Sequence, residues 1–218
     1  MSIFSELELQ TAQYLLQIKA IKLNAQNPFT WASGLRSPIY CDNRRILSFP
    51  EVRDFVSEGI SKLALKYFAE AEVIAGVATG GIAHGVLVAK ILNKPFVYVR
   101  SSAKGHGLQN LVEGYLEPGK RVLVIEDLVS TGGSSLEAVK ALRENKSEIL
   151  GMIAVFTYGL QAATDNFEKA NCTLFTLSNY KALIHQAKYL GMINDEDEKA
   201  LNNWSENPQE WSERYINK

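Results

Sequence analysis

The residues with the clearest chemical potential form one run, Val122-Leu123-Val124-Ile125-Glu126-Asp127-Leu128-Val129-Ser130-Thr131-Gly132-Gly133-Ser134-Ser135. An apolar strand ends in two adjacent acids, and a small-residue turn then opens a helix. Small residues let backbone N–H groups point at an anion, and a helix N-terminus adds its positive dipole end. Thr131, Ser134 and Ser135 can add hydroxyl donors. Glu126 and Asp127 above that anion suit hydroxyl groups or a hydrated cation. A phosphate below two carboxylates describes a seat for a ribose 5-phosphate. The spacing is neither G-x-x-x-x-G-K-[ST] nor G-x-G-x-x-G, so the common nucleotide loops are not the parallel. A turn whose acids merely cap a helix would seldom need two of them in succession.

Three further stretches could join this chemistry. Ala78-Thr79-Gly80-Gly81-Ile82-Ala83 follows the apolar run 73–77, and its glycines allow close backbone approach by a second anion. Arg100-Ser101-Ser102-Ala103-Lys104-Gly105-His106-Gly107 is too polar and glycine-rich to pack, which predicts a moving loop. Its cations could close over a leaving group and offset the charge developing there. Phe29 to Arg44 mixes aromatics with small and basic residues, suited to a structural hairpin or to a lid over a flat heterocycle. His84 adjoins the second loop and can face either a ligand or the core; His185 lies in a helical stretch and takes no role. No Cys/His pair has metal-ligand spacing.

The elements that must position these residues follow from periodicity. Residues 73–77, 96–99, 121–127, 149–156 and 174–177 are short apolar runs separated by helical patterns, the grammar of a parallel sheet covered on both faces. One helix passes through Val86 to Leu92 and another through Leu136, Val139 and Leu142. In such sheets ligands bind beyond the carboxyl ends of strands, just after 77, 99, 127 and 157. Ser5 and Glu8 have capping-box spacing before a helix carrying Leu7, Tyr14, Leu15, Ile18 and Ile21. Pro50 starts a second helix with Val52, Phe55, Val56, Leu63, Tyr67 and Phe68. Near the far end, Ala182, Leu183, Ala187 and Leu190 share one face and Asp195 starts another helix, with Trp204 and Trp211 expected to anchor that tail on the body. Residues 1–218 read as a single α/β domain, with a small N-terminal addition over about 1–45.

Composition sets the outer bounds. The 218 residues are 46% hydrophobic and 22% charged, with net charge −1, which excludes disordered, collagen-like and disulfide-scaffold classes. Without a basic block, nucleic acid and acidic membranes are not expected partners. Cys41 and Cys172 are too few for a disulfide framework. No apolar stretch is long enough to span a bilayer, and MSIFSELELQ lacks a secretion signal, so a cytoplasmic protein is expected.

Residues 123–135 resemble the PRPP-binding motif of the type I phosphoribosyltransferases. The Arg100-x-x-x-Lys104-x-His106-Gly107 loop resembles that of the orotate phosphoribosyltransferase family, as does the F-x-x-x-S-G-x-x-S-P run from Phe29 to Pro38. The resemblance implies the type I fold, with a mainly parallel sheet, flanking helices and an N-terminal hood over the base. It implies that Glu126 and Asp127 contact the ribose hydroxyls and that Ser130, Thr131, Gly132, Gly133, Ser134 and Ser135 hold the 5-phosphate. Thr79 and Gly80 would belong to the pyrophosphate loop, where the family often has a non-proline cis peptide. Lys22, Arg100, Lys104 and His106 would contact PRPP, and Phe29, Thr131 and Tyr158 would line the orotate subsite. Lys104, Glu126 and Asp127 would be the catalytic set. Mg²⁺ is the implied cofactor, held mainly by PRPP and water, and a homodimer is implied in which the mobile loop enters the partner's site. Two positions depart from the family pattern: Ser101 stands where Lys is frequent, and Tyr158 where many members place a carboxylate-binding Arg. The alternatives are transfer to another base, or a PRPP sensor without turnover.

Overall fold

The computed structural model describes residues 3–31, 34–101 and 111–216. The chain forms two compact units, one from residues 1–49 with 178–218 and the other from 50–177.

The first segment folds as its cap dictates. Ser5 opens α1 (Glu6–Gln17): its Oγ accepts from Glu8 N at 3.2 Å, and Glu8 Oε2 accepts from Ser5 N at 2.9 Å. Both orphan donors are thereby satisfied, as the spacing predicted. The helix stops before Ile21, which the periodicity had included. Lys19 takes a left-handed φ of 56° and turns the chain into β1 (Ile21–Leu23). β2 (Phe29–Thr30) pairs antiparallel with β3 (Arg36–Ser37), and β4 (Ile39–Cys41) pairs antiparallel with β1.

The second unit begins at Pro50 with α2 (Pro50–Tyr67). There follow β5 (Val73–Val77), α3 (Gly80–Leu92), β6 (Phe96–Val99), β7 (Val112–Glu113) and β8 (Arg121–Val129). The unit ends through α4 (Gly133–Glu144), β9 (Glu148–Thr157), α5 (Gln161–Lys169) and β10 (Leu174–Asn179), the last two residues of that strand lying in the first unit. The sheet order is β10-β9-β8-β5-β6-β7. β5 runs parallel to both β6 and β8, and β8 parallel to β9, so the expected fold class holds. Every residue of β5 is buried, as strands covered on both faces must be.

Three differences from the sequence reading have physical causes. β7 is a two-residue antiparallel edge strand that no apolar run announces; it forms because Tyr98↔Glu113 and Val99↔Val112 close a hairpin. α3 starts at Gly80, six residues ahead of the apolar pattern that begins at Val86. A Cβ at Gly81 would stand 2.5 Å from the Ile125 carbonyl oxygen, and one at Gly85 2.6 Å from the Phe96 ring. The glycines that weaken helix propensity are the ones that let the helix backbone lie directly on the strands. β8 continues past the acids to Val129, because Leu128 and Val129 still pair with Phe156 and Thr157 of β9.

The tail comprises α6 (Tyr180–Tyr189), α7 (Asp195–Glu206) and α8 (Pro208–Ile216). Ala182, Leu183 and Ala187 are buried as expected, whereas Leu190, at the helix end, is 38% exposed. Asn194 and Asp197 form the capping box of α7. Trp204 is fully buried, with its ring edge-on to Trp31 at 5.8 Å. Ser212 Oγ accepts from Arg36 N at 2.8 Å. The tail is therefore tied to the N-terminal segment, and both stretches together make the first unit. Among the described residues no helix is long and apolar enough to cross a membrane.

Candidate functional site

The site lies in the second unit, where its topology parts. From β5 the chain moves through α3 to β6 on one side, and β8 then returns to the other side of β5. Loops leaving the carboxyl ends of β5 and β8 diverge there, which opens a crevice at the switch point. Thr79, exposed after a cis Ala78–Thr79 peptide, caps α3 without a side-chain hydrogen bond. Gly132, at φ 83°, caps α4 in the same bare manner. Ser5, Asn179 and Asn194 cover the first N–H groups of α1, α6 and α7, whereas α3 and α4, like α5 after Leu160, start without a side-chain cap. Unsatisfied N–H groups at a helix start can donate to a bound anion.

The turn before α4 is fixed from outside. A Cβ at Gly132 would stand 2.6 Å from the Phe167 ring, and Asn166 Nδ2 donates to Thr131 O at 2.9 Å. Both partners lie on α5, a helix absent from the sequence reading; a half-buried Asn on a polar helix gives no signal there. Thr131, Gly133 and Ser134 are exposed, and Ser130 is half-buried. Ser135 is buried, and its hydroxyl donates to Glu126 Oε2 at 2.9 Å instead of facing outward.

The two acids differ in their surroundings. Glu126 is 5% exposed, and its Oε1 accepts from Asp127 N at 2.9 Å. Burial, and then the like charge of Asp127, push the Glu126 carboxyl well above the usual carboxylate range. Asp127 is half-buried and sits against α3: a Cβ at Gly80 would fall inside its carboxylate. Gly80 is thus required by an acid as well as by a prospective anion. His84, one helical turn further along α3, is fully buried, and neither ring nitrogen has a hydrogen-bond partner. Of the alternatives for this residue, the core is the one observed.

The remaining candidates are spread more widely. Arg100 anchors the base of the β6–β7 loop: its N donates to Leu111 O at 2.8 Å, and its Nη1 stands 3.4 Å from Glu113 Oε1. Lys104 and His106, and the loop motion expected around them, lie outside the described residues. Tyr158 is 5% exposed, edge-on to Phe156 at 5.8 Å, and its N donates to Val129 O at 3.2 Å. That bond and the one from Thr157 Oγ1 to Val129 O, 3.0 Å, tie the end of β9 to β8. Lys22 on β1 and Phe29 on β2 belong to the first unit; Lys22 is exposed, and the Phe29 ring lies 5.8 Å from that of Tyr40. Among the described residues no group of three His, Cys, Asp or Glu side chains could cage a metal ion. A hard cation at this site would take its shell from phosphate oxygens and water.

Comparison with known proteins accords with this geometry. The phosphoribosyl transferase domain family matches residues 44–184. The orotate phosphoribosyltransferase of Phocaeicola vulgatus is 55% identical over 205 residues, which cover 94% of this chain and 97% of that protein. The crystal structure of orotate phosphoribosyltransferase from Aeropyrum pernix superposes with TM-score 0.73 at 28% identity, covering 84% of this chain and 99% of that one. Leishmania donovani UMP synthase shares the fold, with TM-score 0.77 at 23% identity over 90% of this chain and 42% of that one.

Proposed function

The chain belongs to the orotate phosphoribosyltransferase family, and we infer that it transfers the 5-phosphoribosyl group of PRPP to orotate, giving orotidine 5′-phosphate and pyrophosphate in pyrimidine nucleotide synthesis. The observation that carries this reading is the acid pair Glu126–Asp127 between two helix starts that no side chain caps. The start of α4 suits the 5-phosphate, with Thr131 and Ser134 as hydroxyl donors; the start of α3 suits the pyrophosphate. In the reaction the bond from C1′ to the pyrophosphate oxygen breaks while the base nitrogen bonds C1′ from the opposite face. No nucleophilic side chain is needed. The chain contributes position and electrostatics. Asp127, the more open acid, grips the ribose hydroxyls, while Glu126 is held behind it by Ser135 and the Asp127 N–H. Arg100, Lys104 and His106 serve the leaving pyrophosphate, and Tyr158 serves the orotate side.

Mg²⁺ bound by PRPP oxygens and water would supply charge neutralisation at the pyrophosphate, with no residue of this chain assigned to hold it. A homodimer with shared sites fits a loop that acts in trans. A reaction among phosphorylated, membrane-impermeant molecules fits the cytoplasm. The test is the fall in orotate absorbance with PRPP and Mg²⁺, repeated with uracil and hypoxanthine. Conversion of orotate alone is expected; preference for another base would overturn the assignment.

A further inference from the structure

Among the described residues beside the site, His84 is a buried polar side chain for which the reaction as described has no use. It is fully buried, and both ring nitrogens are without partners. Buried polar groups are nearly always hydrogen-bonded, so a doubly unpaired imidazole in the interior calls for a reason beyond packing. Its position supplies one. His84 follows Gly80 by one turn of α3, so both lie on the same side of the helix. Gly80 lies hard against the Asp127 carboxylate, and Asp127 is the charge that His84 feels. Burial lowers the imidazole's proton affinity, against the opposing pull of Asp127, and so favours a neutral ring with one donor and one acceptor.

We propose that His84 is a positioning residue for Asp127: when the sugar engages that carboxylate, a ring N–H of the buried imidazole hydrogen-bonds it and holds it in the orientation that grips the ribose hydroxyls. The proposal rests on the transferase reading and deepens it. The unliganded protein keeps the imidazole unpaired at the expense of stability, and the bond forms when ligand arrives. Stability and function should therefore respond to substitution in opposite directions. A histidine that only fills space would move them together.

The experiment compares wild type, His84→Leu and His84→Asn by thermal melting and by calorimetric titration with PRPP and Mg²⁺. Leucine removes the unpaired nitrogens, so the unliganded melting temperature should rise by about 2–4 °C. PRPP affinity should fall about tenfold, a size usual for loss of a group that orients a ligand-binding side chain. Asn, which keeps an amide donor, should recover most of the affinity. In an Asp127→Asn background His84→Leu should cause no further loss. Unchanged affinity in His84→Leu, or an equal loss in that background, would overturn the proposal. An independent reading needs no variant of His84: the ring ¹⁵N signals of wild type should shift on adding PRPP and stay still in Asp127→Asn. If they stay still in wild type, the proposal fails even where His84→Leu does not fold. Bound PRPP without orotate turnover would instead strike the transferase reading and leave the His84 result standing.

Discussion

Asp127 and Glu126 are neighbours in sequence, but the fold gives them different surroundings. Asp127 meets α3 and is partly open, so Asp127→Asn should leave the melting curve nearly unchanged while cutting turnover about a hundredfold or more, as removal of a preorganised charge does. Wild-type rates in that variant would exclude contact with the sugar. Glu126 is sealed in, and its proton affinity is raised by burial first and by Asp127 second. A carboxyl whose folded value lies above its unfolded one favours folding fully below the unfolded value, and that contribution is lost as pH rises through the folded value. The unliganded protein should therefore lose stability as pH climbs above 4.5, and Glu126→Gln should flatten that slope and melt higher at pH 8. Calorimetry from pH 5 to 8 checks both; an unchanged slope refutes them. The acid pair and the Thr131–Ser135 turn were legible because their types are unusual where they stand. The inward turn of Ser135 and the hold of Asn166 on Thr131 were not, since each depends on a partner distant in sequence that no local pattern marks.

At the scale of elements, the sheet was legible because continuous apolar runs of strand length leave few alternatives. Helix starts were less so: α3 needs Gly80, Gly81 and Gly85 against Asp127, Ile125 and Phe96, and helix propensity alone argues against them. Gly81→Ala should lift the helix from β8, lower stability by about 1–3 kcal/mol and raise the KM for PRPP, measurable by urea unfolding and initial rates. At the opposite end of the sheet, Glu72 joins the beginnings of β5 and β8. Its N donates to Arg121 O at 2.8 Å, and its carboxylate accepts from Arg121 N at 3.1 Å and from Lys120 Nζ at 3.2 Å. The Arg121 backbone and side chain, then Lys120, hold its carboxyl down to about 2. A depressed carboxyl stabilises above its unfolded value and loses that effect as pH falls. Glu72→Gln should thus unfold more readily than wild type at pH 7, with the difference fading between pH 4.5 and about 2. A gap that persists at the acid end would assign Glu72 another role.

At the scale of the whole molecule, the proposed homodimer with shared sites makes a specific demand on assembly. Subunits carrying Lys104→Ala, mixed with subunits carrying Asp127→Asn, should regain activity that neither has alone; no recovery in confirmed mixed dimers would refute a shared site. The short strand pairs near the N-terminus were legible in part, because Phe29 to Arg44 carries its own pattern. That residues 178–218 complete the same unit was not, since the contacts of Trp204 with Trp31 and of Ser212 with Arg36 join positions far apart in the chain. This arrangement has a consequence during synthesis. The ribosome delivers residues 50–177, with the whole crevice of β5 and β8, before the partners of the first 49 have been translated. The opening stretch must therefore wait for its partners until the last helices emerge, and a nascent chain arrested near residue 177 would carry the acid pair while Trp31 still lacked the Trp204 ring.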